Sequence, residues 1–193
     1  MVYYVVKYSG PFGFIKPWTA VRDSETFSQQ FLTPSIVEGI EKKLFPELLK
    51  DENFGQIFKI KRYRLNYQGI DVQKEKTWSK GGFSFKKEKG QYKTNMSTLD
   101  RGVMLNPSLY LAFEHKEDAK IALMQTICLC RNEDLLFPES ILELSQSDFD
   151  EIDGFELIFT NSDNGFKVGH NRYNNASEMF GELKVFGNPM RNY

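Results

Sequence analysis

The stretch over residues 12–45, FGFIKPWTAVRDSETFSQQFLTPSIVEGIEKKLF, constrains the fold more than any other part of the chain. It reads as a loop carrying aromatic and cationic side chains, a strand over 26–32, and a helix with a marked start. Ser35-Ile36-Val37-Glu38 has capping-box spacing, a hydroxyl followed three positions later by a carboxylate just before an apolar run. Pro34 stands at the boundary, where a missing N–H costs least. Ile36, Ile40, Leu44 and Leu48 recur every four residues with Val37 beside them, so one helix face is apolar. Pro46 interrupts or kinks the pattern. Gly39 inside a helix costs roughly 1 kcal/mol against alanine, which implies close backbone packing. The free N–H groups at the helix start suit a phosphate, and Lys16, Trp18 and Arg22 lie shortly upstream, beside Thr33 and Ser35.

Residues 2–8 are rich in β-branched and aromatic side chains and form a first strand, ended by a Gly10-Pro11 turn. Residues 55–67 alternate in two halves. Phe58 and Ile60 oppose Lys59 and Lys61, then Tyr63 and Leu65 oppose Arg62 and Arg64. The phase slips at Lys61-Arg62. A bulge there returns the apolar residues to one face and the cations to the other. Residues 69–101 lack a sustained apolar period, and Gly81-Gly82 between short alternating pieces predicts a hairpin arm. Further on, 103–115 reads as a strand and 118–131 as a helix. Residues 155–159 and 166–168 read as strands paired across a turn at 161–165, and 182–186 as a short last strand. This order predicts an α+β fold: a ferredoxin-like (RRM-like) antiparallel sheet with helices on one face. With 193 residues the simplest organisation is one domain, 1–193, into which the arm at 69–101 is inserted.

The net charge of −1 hides an asymmetry. From Lys59 to Lys93 there are eleven Lys or Arg against three acids; from Glu133 to Asp163 there are ten acids and no Lys or Arg. The basic segment has the character of a polyanion surface. The acidic one reads as a solvated face, its alternative being a surface that docks a basic subunit or repels misplaced RNA. Phosphate contacts need cations in number, and splayed single-stranded bases need aromatic faces. The basic segment supplies both, with Arg62, Arg64, Lys80, Lys86, Lys87 and Lys93 interleaved with Tyr63, Trp78, Phe83, Phe85 and Tyr92; Arg101 follows. An aromatic taken alone is more often core, but Trp78 and Tyr92 stand in polar arm sequence and are expected to be exposed.

Several chemistries lack support. His115 and His170 have no partner at ligand spacing on a shared helix face, so neither a zinc nor a two-metal site is expected. Phosphate-cradling glycine motifs are absent, and no nucleotide cofactor is expected. Cys128 and Cys130 lie in the apolar run IALMQTICLC and read as buried structural thiols. With no secretory n-region and no apolar run approaching membrane-spanning length, a cytoplasmic protein without membrane contact is expected.

Phe12-x-Phe14-x-Lys16-Pro17, Thr26-Phe27, Thr33-Pro34-Ser35 and Gly39-Ile40 together resemble the opening of CRISPR-associated RAMP proteins. The likeness is greatest to the small Cascade subunit that holds the 5′ handle of the guide RNA. Met104-Leu-Asn106-Pro107-Ser-Leu-Tyr110-Leu resembles the family's later strand. Leu136-Phe137-Pro138 leading to Ser145-Gln-Ser147-Asp148-Phe149 is a third, weaker match, in family order over about residues 1–150. The resemblance implies a guide-RNA (crRNA) 5′-handle-binding subunit that caps the backbone filament of a type I Cascade-like complex. The arm would be the family's β-hairpin thumb. Its partners would be the guide RNA, the backbone and large subunits and, indirectly, target DNA. One branch of the family also cuts precursor guide RNA without metal, using a Tyr after the first helix and a Lys-His pair near the second. Here Phe45 stands at the first position and His115-Lys116, in reversed order, near the second. The resemblance therefore implies no catalysis, with His115 and Lys116 the pair to mutate if cleavage occurs. Two other readings stay open from sequence: that metal-independent endoribonuclease, and a protein-interaction module centred on the acidic segment.

Overall fold

The computed structural model describes residues 1–17, 25–78, 82, 84–160, 165–171, 173 and 175–190. Strand β1 (Val2–Ser9) is buried on both faces: Val6 and Tyr8 point one way, Tyr3 and Val5 the other. Two short strands follow, β2 (Phe12–Gly13) and β3 (Glu25–Phe27), and then helix α1 (Pro34–Leu44). The expected Ser35–Glu38 capping box does not form. Thr33 is the cap residue and makes no side-chain cap bond; its hydroxyl meets that of Ser35 at 3.1 Å. Glu38 is turned instead to Lys42 and to the Gly55 N–H at 2.7 Å, partners that outcompete its own helix start. Val37, Ile40 and Leu44 enter the core as the periodicity requires. The helix stops at Leu44, and Pro46 opens a separate 3-10 turn, Pro46–Leu48.

Strand β4 (Ile60–Asn66) carries the bulge that the alternation calls for. Its register against the later strand β9 shifts between Ile60 and Arg62, so Ile60, Tyr63 and Leu65 all reach the same core. Next come the arm strands β5 (Gly69–Trp78), β6 (Phe85–Glu88), β7 (Gln91–Thr94) and β8 (Met96–Leu105). The span 103–115 is not one strand. Asn106 adopts a left-handed backbone, φ 45°, before Pro107 and breaks it, and β9 (Ser108–Phe113) joins a different sheet from β8. Asparagine tolerates that conformation better than most residues. Helix α2 (Lys116–Leu123) ends earlier than expected. The Gln125 amide donates to the Leu44 carbonyl, and Ile127–Cys128 becomes β10, paired with β11 (Leu135–Ser145). Cys130 is exposed and Cys128 half-buried, so neither is the buried thiol expected. Helix α3 (Gln146–Asp150) has the capping box that α1 lacks, with Ser145 and Asp148 bonding reciprocally.

The chain ends in β12 (Gly154–Thr160), β13 (Phe166–Asn171) and β14 (Ser177–Phe186). The first two do not pair with each other: β14, twice the expected length, lies between them. All eight strands of the main sheet, β10-β11-β1-β9-β4-β12-β14-β13, are antiparallel neighbours. Within it, β1-α1-β4-β9-α2-β11 is a βαββαβ unit with spatial order fourth, first, third, second, which is the ferredoxin-like arrangement. Helices α1 and α2 cover one face over the larger core, while Phe149 of α3 packs on Tyr3, Val5 and Ala112 of the other. The arm leaves between β4 and β9, and its strands β5 and β8 form a second sheet with β2 and β3. No helix among the described residues is long and apolar enough to cross a membrane.

Candidate nucleic-acid interface

The cations of β4 do not form an open basic face. Arg64 is fully buried and Arg62 partly buried. Arg62 donates to both carboxylate oxygens of Glu156 (2.9 and 2.6 Å) and to Asp150 (2.7 Å). Arg64 lies 3.3 Å from Glu156, with its guanidinium 3.3 Å from the Phe186 ring centroid and 5.0 Å from that of Phe149. Burial pulls the Arg64 guanidinium down to about 10, partly opposed by Glu156. Burial also works against the charge of Arg62, but Glu156 and Asp150 more than offset it and hold its value above the ordinary one. The expectation that Arg62 and Arg64 bind RNA is corrected accordingly: the bulge sends them to the α3 side of the sheet, where two acids of the 133–163 run neutralise them. Lys59 likewise meets Asp118 at 2.6 Å, and Lys61 meets Glu114 at 3.4 Å.

The arm is different. Across the β5–β8 ladder Trp78 faces Met96, Lys76 faces Thr98 and Lys74 faces Asp100. Alternation puts Val72, Lys74, Lys76 and Trp78 on one face, and all four are exposed. The opposite face is anchored to the body. Arg101 meets Glu75 at 3.2 Å, Arg131 reaches Gln73 at 3.4 Å, and both guanidiniums lie over the Phe14 ring. Arg101 is therefore a half-buried strut rather than part of the exposed strip. Beyond this ladder, β6 and β7 make a smaller hairpin that turns at Lys89-Gly90, with φ of 49° and 81°; Gly81 of the Gly81-Gly82 pair lies outside the described residues. Lys86 stands directly opposite Lys93, a pairing that destabilises an isolated hairpin. Glu88 relieves Lys93 alone, at 2.8 Å. On the other face Phe85 and Tyr92 meet edge to face at 5.7 Å, and the Lys87 ammonium lies 5.8 Å from the Tyr92 ring. Trp78 is 49% and Tyr92 69% exposed, as the polar sequence around them predicts.

At the mouth of α1, Lys16 and Ser35 are exposed and Thr33 is buried. Trp18, Arg22 and Lys80 lie outside the described residues. Phe45 is buried edge to face against Phe113. His115 is the exposed cap residue of α2, and the Lys116 ammonium sits over the Tyr4 ring at 5.8 Å. The structure adds Lys74, Lys76, Met96 and Thr98 to the Trp78 face. Alternation between Val72 and Trp78 was the signal for the first two; the partners on β8 needed the register.

No family model matches the sequence, and no curated protein gives a significant match. Among solved structures, a chain described as "CRISPR RNA-guided surveillance complex" is similar, with a TM-score of 0.56 and 10% identity over 97% of this chain and 91% of that one. The likeness is one of fold. It spans nearly the whole chain, including the C-terminal strands for which the sequence offered only short elements.

Proposed function

We propose that this chain is a non-catalytic guide-RNA 5′-handle-binding subunit of a type I CRISPR Cascade-like effector complex, capping its backbone filament in antiviral defence. The observation that carries this reading is the arm. Its exposed face sets Lys74, Lys76 and Trp78 in a row, and its tip opposes Lys86 to Lys93, a like-charge pair that an RNA phosphate would relieve. The resemblance of the first 150 residues to RAMP proteins supports it, as does the fold shared with a chain from an RNA-guided complex. Sequence choice by base pairing would belong to the guide, and target-strand cleavage to other subunits. Absence of catalysis is part of the proposal. A buried Phe45 has no ionisable group to offer, and His115 and Lys116 stand at an exposed helix start with Lys116 over an aromatic ring.

The test replaces Lys86, Lys87 and Lys93 together by Glu and measures binding of a repeat-derived RNA across a salt titration. Binding is expected to be lost in the variant. In the unaltered protein, affinity is expected to fall steeply with salt, each neutralised phosphate adding about 0.7 to the log–log slope for a single strand. Unchanged affinity, or binding indifferent to salt, rejects the reading. Cleavage of the RNA in chelator, lost on His115→Ala, would reject its non-catalytic part.

A further inference from the structure

The outward side of α1 faces a cleft of about 810 Å³ whose far wall is β13 and the turn after it. Two of its features bear on what the cleft can hold. The first is Gly39. Its backbone is ordinary helix, it is exposed, and a Cβ added there would meet nothing within 4 Å. The close packing expected of it is absent. Alanine would fit and would favour the helix, so glycine leaves bare backbone on the cleft wall without structural benefit.

The second feature is a stack. The Lys42 ammonium lies 4.3 Å from the Phe54 ring centroid, and Phe54 stacks on Tyr173 at 4.6 Å and 14°. The stack ends on Tyr173, which is 61% exposed. Tyr173 is held in place by its backbone N–H, which donates to Asn171 Oδ1 at 3.0 Å, while the Asn171 amide reaches the Gly55 carbonyl at 3.5 Å. A cation–ring–ring pile that ends on an exposed aromatic is a platform for one more planar group. The charge around it selects which. Glu38 is already bound by Lys42 and the Gly55 N–H, and Glu178, opposite His170, is bound by Lys167. Lys43, whose ammonium reaches Cys128 Sγ at 3.9 Å, and His170 are exposed at the cleft, and among the described residues neither is paired with an acid there. Lys42 and Lys43 outnumber Glu38 in the lining, so the rim favours a phosphate over a cationic group.

We infer that this cleft takes one unstacked base of a single-stranded RNA, with Tyr173 stacking on the base, Lys43 and His170 facing its phosphate, and Gly39 leaving room against the helix. The inference rests on the RNA-binding reading above and adds a contact that uses none of the arm residues.

The probe is a short mixed-sequence single-stranded RNA, labelled at one end, titrated against the whole chain. Tyr173→Ala is expected to weaken binding about five- to hundredfold, the loss of one stacked base, while Tyr173→Phe retains it. Gly39→Ala is expected to raise the melting temperature yet weaken binding, and Gly39→Leu to weaken it further. Ultraviolet cross-links should map to Tyr173 or His170. If Tyr173→Ala and Gly39→Leu bind as tightly as the unaltered protein while the arm reversal abolishes binding, the cleft inference fails and the proposed function stands. If the unaltered protein does not bind RNA, both fail. If Tyr173→Ala releases a co-purifying subunit but keeps its RNA affinity, the cleft is a protein contact and the inference is overturned.

Discussion

On β4, Arg62 and Arg64 alternate with Tyr63 and Leu65; at the arm tip, Lys86 and Lys93 alternate with Phe85 and Tyr92, and Lys87 shares the aromatic face. The two patterns are nearly the same, and the fold treats them in opposite ways. The sheet is covered on both faces around β4, so every cation there must find an acid, and Glu156 and Asp150 supply it. The tip hairpin is covered on neither face, so its cations stay in water and repel one another across the ladder. What separates them is neighbours. Arginine suits the first setting, because its planar fork binds a carboxylate through two bonds and stacks on rings. Lysine suits the second, as a hydrated point charge at low desolvation cost.

The sharpest way to break the comparison is to remove the acid from β4. Glu156→Ala leaves two guanidiniums in the interior with Asp150 as their remaining carboxylate. The expected loss is about 3–5 kcal/mol of stability, as for other buried pairs that lose one partner, read by urea denaturation. Replacing Arg62, Arg64 and Glu156 together by apolar residues of similar volume should recover most of it, since a filled apolar site often equals a buried ion pair. A loss below about 1 kcal/mol, the range of exposed pairs, would mean that the β4 cations are solvated after all and that the two regions do not differ.

Much of the ferredoxin-like unit is legible in sequence because its signals are local. The period of α1, the alternation of β1 and the phase slip at Lys61-Arg62 each follow from which residues must share a face. The misreadings have a common cause, a contact made far along the chain. Glu38 was available to cap α1 until Gly55 and Lys42 claimed it. Glu41, on the same helix, accepts the backbone N–H groups of Phe58, Lys59 and Ile60 and so fixes the start of β4, which no spacing rule announces. Arg64 looked like a surface cation because Glu156 is ninety-two positions away. The pairing of β14 between β12 and β13 is a choice among strands that alternation alone leaves open. In the candidate site, exposure of Trp78 and Tyr92 followed from their polar surroundings, whereas the Phe54–Tyr173 stack joins segments with no shared pattern.

A smaller effect sharpens the arm's side of the comparison. Trp78→Ala is expected to weaken RNA binding by about 1–3 kcal/mol, the value of one stacked base, and to change thermal stability by about 1 kcal/mol or less, as for half-exposed surface positions. Isothermal titration and a melting curve on the same preparation check both. A larger loss of stability than of affinity would make Trp78 a packing residue of the arm and remove it from the interface.

The smallest effect is the most diagnostic. Lys86→Glu turns the like-charge pair with Lys93 into an attractive one, worth about 0.2–1 kcal/mol across an antiparallel ladder. The new carboxylate competes with Glu88 for Lys93, which keeps the gain near the lower end. A two-stranded hairpin is marginal on its own, so even this gain should slow amide exchange over β6 and β7, where a global melting curve would register nothing. RNA affinity should move the other way, with the salt slope falling by about 0.7 for the lost phosphate contact. A lysine pair kept for an anion at the expense of the hairpin requires both changes together, a more ordered tip and weaker binding. Faster exchange in the variant would show instead that Lys86 supports the hairpin, and the contrast with β4 would reduce to a difference in burial alone.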